Sequence, residues 1–81
     1  MLQVSLSGSL RDSADGAASI SVDAATIREL LRKLVERYPR MQGQVDGGIA
    51  VSINGQIYRD SWGEEIPDDA EVFLLPRIPG G

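Results

Sequence analysis

Large apolar residues occupy every second position in two short segments near the start of the chain: Leu2, Val4 and Leu6, and then Ile20 and Val22. This period of two is typical of a β-strand with one buried face. The segment between them, GSLRDSADGAAS (residues 8–19), is rich in turn-forming residues and poor in large apolar ones. We therefore expect two antiparallel strands that are joined by an irregular loop.

Apolar residues then recur at helical spacing over the next segment: Ile27, Leu30, Leu31, Leu34, Val35 and Tyr38. They form one apolar stripe of an amphipathic α-helix. Thr26 is followed three residues later by Glu29, which is the pattern of a capping box, so the helix should begin near Ile27. Pro39 disfavours helical geometry at the preceding residue, and we expect the helix to end at Tyr38.

The second half of the chain contains three further strand patterns. Residues 40–48 are expected to form a loop, after which alternation at Ile49, Val51 and Ile53 predicts a third strand. The dipeptide Asn54-Gly55 is a strong hairpin signal, so the chain should return as a short strand through Ile57 and Tyr58. An acidic loop, RDSWGEEIPDDA, precedes a last strand, EVFLLP, that should end near Pro76. Trp62 in this loop is expected to pack over the edge of the core, with contact to a partner protein as the alternative.

One helix and a small number of strands predict a two-layer α+β domain over residues 1–76, followed by a flexible tail at residues 77–81. The last strand is unusual because Val72, Phe73, Leu74 and Leu75 are apolar on both faces. Such a run often marks a central strand that is buried on both sides. A single predicted helix covers only one face, however, so one pair of these residues is also a candidate docking patch.

The composition limits the function classes. The chain has 81 residues, no cysteine and no histidine, so it lacks thiolate ligands, disulfides and the commonest general base. Twelve acidic against eight basic residues give a net charge of −4, which argues against nucleic-acid binding. No segment is long and apolar enough for a membrane span, and no leader is recognised at the N-terminus, so we expect a cytoplasmic protein.

No catalytic set is apparent in the sequence. The carboxylates Glu64, Glu65, Asp68 and Asp69 lie in one loop without the spacing of a calcium loop, and no serine has a histidine to activate it. The remaining reactive group is the carboxylate of Gly81, which is ionised at neutral pH. A carboxylate can attack the α-phosphorus of ATP to give an acyl-adenylate, and the small residues Gly80 and Gly81 would allow the tail to enter a narrow channel.

The segments VSINGQIY and IPDDAEVFLLPRIPGG resemble the MoaD/ThiS family of ubiquitin-like sulfur carriers, and the resemblance extends over essentially the whole chain. It implies a β-grasp fold, with a mixed sheet of four to five strands packed on one main helix. Two positions differ from the family pattern. Asp69 occupies a turn position that is commonly glycine, and Pro79 precedes the diglycine where small residues are usual.

The resemblance also implies a function. A partner enzyme of the ubiquitin-activating type would use ATP and Mg to adenylate Gly81, and a sulfur donor would convert it to a thiocarboxylate. The sulfur would then pass to a biosynthetic enzyme such as the molybdopterin synthase large subunit, with no cofactor bound by this chain itself. Gly80 would provide clearance, and the expected docking residues are Phe73, Leu75, Arg77, Ile78 and Pro79. By the same alignment Val72 and Leu74 face the helix.

Several alternatives remain open from the sequence. The chain length favours the molybdopterin synthase small-subunit type, while carriers of cysteine or siderophore synthesis are similar in sequence pattern. A protein modifier that is joined through Gly81 to lysines would use the same activation chemistry. A ubiquitin-like interaction domain with an inert tail represents a different function class.

Overall fold

The computed structural model describes residues 1–59 and 61–76, and the helices and strands named below lie within these ranges. The strands are β1 (Leu2–Leu6), β2 (Ser19–Val22), β3 (Ile49–Ile53), β4 (Gln56–Tyr58) and β5 (Glu71–Pro76). The helices are α1 (Ser9–Ser13), α2 (Ile27–Arg37), a 3₁₀ turn (Pro39–Met41) and α3 (Gln42–Asp46). The five predicted strands and the main helix are therefore all present.

The strands form one mixed sheet in the order β2-β1-β5-β3-β4. β1 pairs antiparallel with β2, as expected for the first hairpin, and β3 pairs antiparallel with both β4 and β5. The central pair, β1 with β5, is parallel, with Val4 opposite Val72. The last described strand, β5, thus occupies the middle of the sheet, and α2 packs across one face.

Helix α2 begins and ends where the sequence predicts. The Thr26 hydroxyl accepts a hydrogen bond from the Glu29 amide (3.2 Å), and the Glu29 carboxylate accepts one from the Ala25 amide (2.8 Å). This is a capping-box exchange in which the carboxylate reaches one residue further back than usual. At the other end the helix stops at Arg37, just before the Tyr38–Pro39 step that excludes helical geometry.

The core lies between α2 and the covered face of the sheet. The predicted inward-facing strand residues are all buried: Leu2, Val4, Leu6, Ile20, Val22, Ile49, Val51 and Ile53. In β5, Val72 and Leu74 are fully buried, whereas the side chain of Phe73 is 39% exposed and Leu75 is half-buried. The orientation expected for the two apolar faces of this strand is therefore confirmed.

The prediction of an irregular loop over residues 8–19 was wrong, because this segment contains α1. Its Leu10 side chain is completely buried, and Ala14, four residues later, is 1% exposed. Residues four apart lie on the same side of a helical turn, so this short helix and its C-terminal cap residue Ala14 add two apolar groups to the core. Two apolar residues are too few to reveal a helical period in the sequence.

The prediction of a loop over residues 40–48 was also wrong. A 3₁₀ turn starts at Pro39, whose fixed φ suits the first position of a helix, and α3 follows it directly. Met41 is completely buried and joins the core. The glycines of this segment mask the helical pattern in the sequence, and burial of one methionine stabilises the turn instead.

Two turns adopt left-handed backbone geometry. Asn54 and Gly55 have φ values of 50° and 89°, as a two-residue hairpin turn with the twist of its strands requires. Asp69 has a φ of 60°, in the left-handed region that glycine adopts most readily. Aspartate tolerates this region better than most residues, so it is compatible with this turn.

Trp62 is half-buried and packs against the edge of the core, as the structural interpretation predicted. Within residues 1–59 and 61–76, none of the helices has the length and hydrophobicity of a transmembrane span.

Replacing Leu10 with alanine tests whether α1 is part of the core. We expect the free energy of unfolding to fall by about 2–5 kcal/mol, because the substitution leaves a cavity in a closed site. Arg11→Ala, on the exposed side of the same helix, should change it by no more than about 0.5 kcal/mol. Urea denaturation followed by circular dichroism measures both. Equal small effects would show that α1 is peripheral.

Candidate functional site

The face of the sheet that α2 does not cover is the first candidate site. The register places the following side chains on it: Ser19 and Ser21 of β2, Gln3 and Ser5 of β1, Glu71, Phe73 and Leu75 of β5, Ala50 and Ser52 of β3, and Ile57 of β4. These residues alternate with the buried ones along each strand. No α-helix of the described part of the chain removes Phe73 or Ile57 from solvent.

Phe73 lies at the centre of this open face. It is opposite Ser5 on one neighbouring strand and opposite Ser52 on the other. Directly opposed side chains on adjacent strands lie about 4.5–5.5 Å apart at Cβ, and a serine is too short to cover an aromatic ring. The ring of Phe73 therefore stands above its neighbours and offers a flat apolar surface to a partner.

Ile57 extends the apolar surface to the edge strand. It lies opposite Ser52, and its side chain is 54% exposed. Ser52 itself is only 9% exposed although it lies on the open face, because the larger side chains of Phe73 and Ile57 flank it. These two apolar residues thus form a continuous surface with the serine at its floor.

Leu75 and Ala50 continue this surface toward the end of β5, since the two residues are opposite each other in the register. Both are half-buried. We call the set of Ala50, Ile57, Phe73 and Leu75 the open-face patch. An exposed apolar cluster of this kind on a small domain is typical of an interaction surface.

The other half of the open face is polar. The Gln3 side-chain amide donates to the Ser19 hydroxyl and accepts from the Ser21 hydroxyl, both at 3.2 Å. These bonds form a small network across β1 and β2. The open face is therefore divided, with an apolar half on β3, β4 and β5 beside a polar half, which gives a docking partner a defined orientation.

The open-face patch leads toward the C-terminal residues. β5 ends at Pro76, near the middle of the sheet order, and the loop before α1 lies beside this end. Gly8 has a φ of 60°, and a Cβ added there would lie 3.5 Å from Cγ of Pro76. The predicted tail residues Arg77, Ile78, Pro79, Gly80 and Gly81 lie outside the described residues, so the roles expected for them stay predictions.

In the described part of the acidic loop, the carboxylates do not assemble a metal site. Glu64, Glu65, Asp68 and Asp69 are all exposed to solvent. Over residues 1–59 and 61–76, no three His, Cys, Asp or Glu side chains come together as a possible metal site. The geometry of the described residues is that of a surface for docking.

Ile57 is the large apolar residue of the patch that the sequence analysis did not select. A signal for it was present, since a two-residue turn at Asn54-Gly55 fixes the pairing of the flanking strands. Ile53 then lies opposite Gln56, and Ser52 lies opposite Ile57. Counting outward from the turn would have placed Ile57 on the same face as Phe73.

Comparison with solved structures supports the fold over nearly the full length. SAMP1 from Haloferax volcanii is 29% identical, with a TM-score of 0.78, and the alignment covers 99% of this chain and 98% of that one. Molybdopterin converting factor, subunit 1, from Pyrococcus furiosus is 20% identical, with a TM-score of 0.79, and coverage is 95% and 97%. A chain of the Amycolatopsis orientalis BexX/CysO complex is 21% identical, with a TM-score of 0.78 and coverage of 100% of both chains.

These similar structures are ubiquitin-like β-grasp proteins, and the mixed five-stranded sheet with its one main helix confirms that fold for this chain. A search of curated proteins finds no match. The ThiS family model matches residues 4–81, from the first strand through Gly80 and Gly81. The chain therefore belongs to the ThiS family of small ubiquitin-like carrier and modifier proteins.

Proposed function

We propose that this protein is a sulfur carrier whose Gly81 carboxylate is activated by a partner enzyme and converted to a thiocarboxylate. The observation that carries the proposal is the extent of the family match, which includes Gly80 and Gly81 as well as the folded domain. The open-face patch supports it, because a carrier needs a docking surface close to the strand that leads to its reactive end.

The chemistry divides between the chain and its partners. An oxygen of the Gly81 carboxylate attacks the α-phosphorus of ATP, pyrophosphate leaves, and an acyl-adenylate forms. A sulfur nucleophile then attacks the acyl carbon, AMP leaves, and the thiocarboxylate remains. The activating enzyme supplies the cationic groups and Mg²⁺ that stabilise the phosphoryl charge. The acceptor enzyme removes the sulfur, and water restores the carboxylate.

In this scheme the carrier presents its Gly81 carboxylate to the active sites of its partner enzymes. ThiS-family proteins of this size are generally non-catalytic, and we propose no catalytic residue for this chain. Gly80 and Gly81 carry no Cβ, which allows close approach of the activating site to the reacting carbon. Arg77, Ile78 and Pro79 would contact the partner along its channel, while Phe73 and Leu75 dock against its surface. We favour molybdopterin synthesis as the receiving pathway and a cytoplasmic location.

A second candidate function is protein modification, favoured by the likeness to SAMP1, a small archaeal modifier protein. In that case a lysine amine of a target attacks the acyl-adenylate, AMP leaves, and an isopeptide bond to Gly81 forms. Both functions share the activation step. They differ in the nucleophile, so the products distinguish them.

Incubation with ATP, Mg²⁺, sulfide and an adenylating enzyme of the ubiquitin-activating type from the same organism tests the carrier function. Intact-mass spectrometry should show replacement of one oxygen by one sulfur, since sulfide displaces AMP from the acyl-adenylate. Covalent products of higher mass in a cell extract, with no sulfur uptake, would favour the modifier. An unchanged mass under both conditions would contradict both functions.

Removing Gly80 and Gly81 separates the tail from the fold. The melting temperature should stay almost unchanged, because the deletion touches no residue of the described core. Adenylation should be lost, since the shortened chain ends on the bulky Pro79. Differential scanning calorimetry and pyrophosphate release measure the two effects. A large fall in melting temperature would show that the tail belongs to the folded domain.

Phe73→Ser tests the open-face patch. We expect binding to the activating enzyme to weaken by about tenfold or more, because aromatic residues in interface centres contribute most. The free energy of unfolding should fall by about 1 kcal/mol or less, as Phe73 is on an uncovered face. Ser21→Ala, on the polar half of that face, is the matched control for binding and should have little effect.

Leu74→Ala provides the contrast in stability. This side chain is completely buried, so the free energy of unfolding should fall by about 2–5 kcal/mol. For each variant, calorimetric titration measures the affinity for the activating enzyme, and urea denaturation measures the free energy of unfolding. If Phe73→Ser destabilised the fold as strongly as Leu74→Ala, the patch would be part of the core.

A further inference from the structure

A second apolar groove lies on the helical side of the molecule. It has a volume of about 300 Å³, and its apolar lining comes from Leu31 and Val35 of α2, Val45 of α3 and the ring of Trp62. Leu31 is buried at the floor, while the other three are half-buried. The open-face patch lies on the other face of the sheet, so the groove is a separate surface.

Backbone hydrogen bonds hold the Trp62 loop against the start of α2. The amide of Arg28 donates to the carbonyl of Trp62 at 2.8 Å, and the amide of Ile27 donates to the carbonyl of Glu64 at 3.1 Å. The amide of Ile66 donates to the carbonyl of Ala25 at 2.8 Å. The first two bonds satisfy amides of the first helical turn that have no partner within the helix. The tryptophan wall of the groove is therefore preformed and does not depend on a ligand.

Two arginines line the same groove. Arg28 and Arg32 are one helical turn apart on α2, and both are exposed. Within residues 1–59 and 61–76, neither side chain has a hydrogen bond or an ion-pair partner. Like charges four residues apart on a helix repel each other, by about 0.2–0.5 kcal/mol in isolated helices. An incoming carboxylate would relieve this repulsion.

Three neighbouring charged residues of α2, Glu29, Lys33 and Arg37, interact with groups outside the groove, unlike the two arginines. The Glu29 carboxylate accepts from the Ala25 amide, and the Lys33 ammonium donates to the Asp23 carbonyl. The Arg37 guanidinium lies 5.5 Å from the centre of the Tyr38 ring. Glu36 is the acidic residue of the groove lining, one turn beyond Arg32, and it leaves Arg28 uncompensated.

We infer that this groove binds an acidic amphipathic helix of another protein, with an apolar side chain against Trp62 and Val45 and carboxylates on Arg28 and Arg32. Arginine pairs with carboxylates through two parallel hydrogen bonds, which suits recognition of this kind. The apolar lining of the groove, including Val45 and Trp62, favours a protein helix with an apolar anchor over a nucleic acid as the occupant. A helix that lies in an apolar groove through a few spaced anchors is a common mode of peptide recognition.

The position of the groove has a consequence that rests on the proposed function. Helix α2 covers one face of the sheet, and the activating enzyme would dock on the other face through the open-face patch. The acidic helix would thus bind while Gly81 is held in an active site. The groove then serves to recruit a second protein to the loaded carrier.

A displayed library of random peptides, selected on the full chain, tests the inference and requires no candidate partner protein. Enriched peptides should combine acidic residues with a large apolar residue at helical spacing. The chain contains one tryptophan, so the fluorescence of Trp62 should change on binding and report the affinity directly. The paired substitution Arg28→Glu with Arg32→Glu should weaken binding about tenfold or more, a change of about 1.4 kcal/mol per factor of ten.

Two controls make the result specific. Arg37→Glu changes the charge of the same helix outside the groove and should leave the affinity within about twofold, since exposed charges away from a contact contribute little. Phe73→Ser should also leave it unchanged, which separates this test from that of the open-face patch. Because all these positions are exposed, circular dichroism should show an intact fold.

Any of three results of the peptide selection would overturn the inference. Selection could yield no peptide, it could yield peptides without an acidic preference, or the enriched peptides could bind the doubly substituted chain as tightly as the wild type. A concentration-dependent dimer in analytical ultracentrifugation that is lost on the double substitution would assign the groove to a second copy of the chain. That result would equally contradict an acidic partner helix.

Discussion

A single amphipathic helix can cover only one face of a five-stranded sheet, and this constraint organises the molecule. β5 occupies the centre of the sheet, between β1 and β3, and is apolar on both faces. Val72 and Leu74 point into the core, so Phe73 and Leu75 must point away from it. The strand at the centre of the sheet, which supplies Val72 and Leu74 to the core, is therefore also the strand that exposes an apolar surface just before the C-terminal residues.

The short helical turns complete a core that the sheet and α2 alone would leave open at its edges. Leu10 from α1 and Met41 from the 3₁₀ turn are both completely buried. A domain of this size buries a smaller fraction of its surface than a larger one, so each additional buried side chain is a sizeable part of the total. The segments that connect the strands to one another and to α2 therefore also contribute side chains to the core.

The residues that stabilise the fold and the residues proposed to contact partners lie in different parts of the molecule. The core is shielded by α2, while the open-face patch and the groove beside Trp62 lie on opposite layers of the molecule. Exposed charges, including the surface ion pair of Arg40 with Asp15 at 2.6 Å, contribute little to stability and are free to set solubility and partner choice. A small carrier of the proposed kind depends on this separation, because its partners must bind it without unfolding it.

The sequence by itself determined the strands, the limits of α2, the hairpin turn and the family, since alternation, helical spacing, a capping box and Asn54-Gly55 are local patterns. The two short helices were missed because α1 and α3 have too few apolar residues for a period. Leu10 of α1, and Met41 of the 3₁₀ turn that leads into α3, are instead buried by segments distant in the chain. Ile57 became part of the patch only through its register with Ser52, and the groove formed only when α3 and the Trp62 loop met α2. These features depend on contacts between residues far apart in the chain, and a local pattern carries no information about which surfaces such contacts leave uncovered.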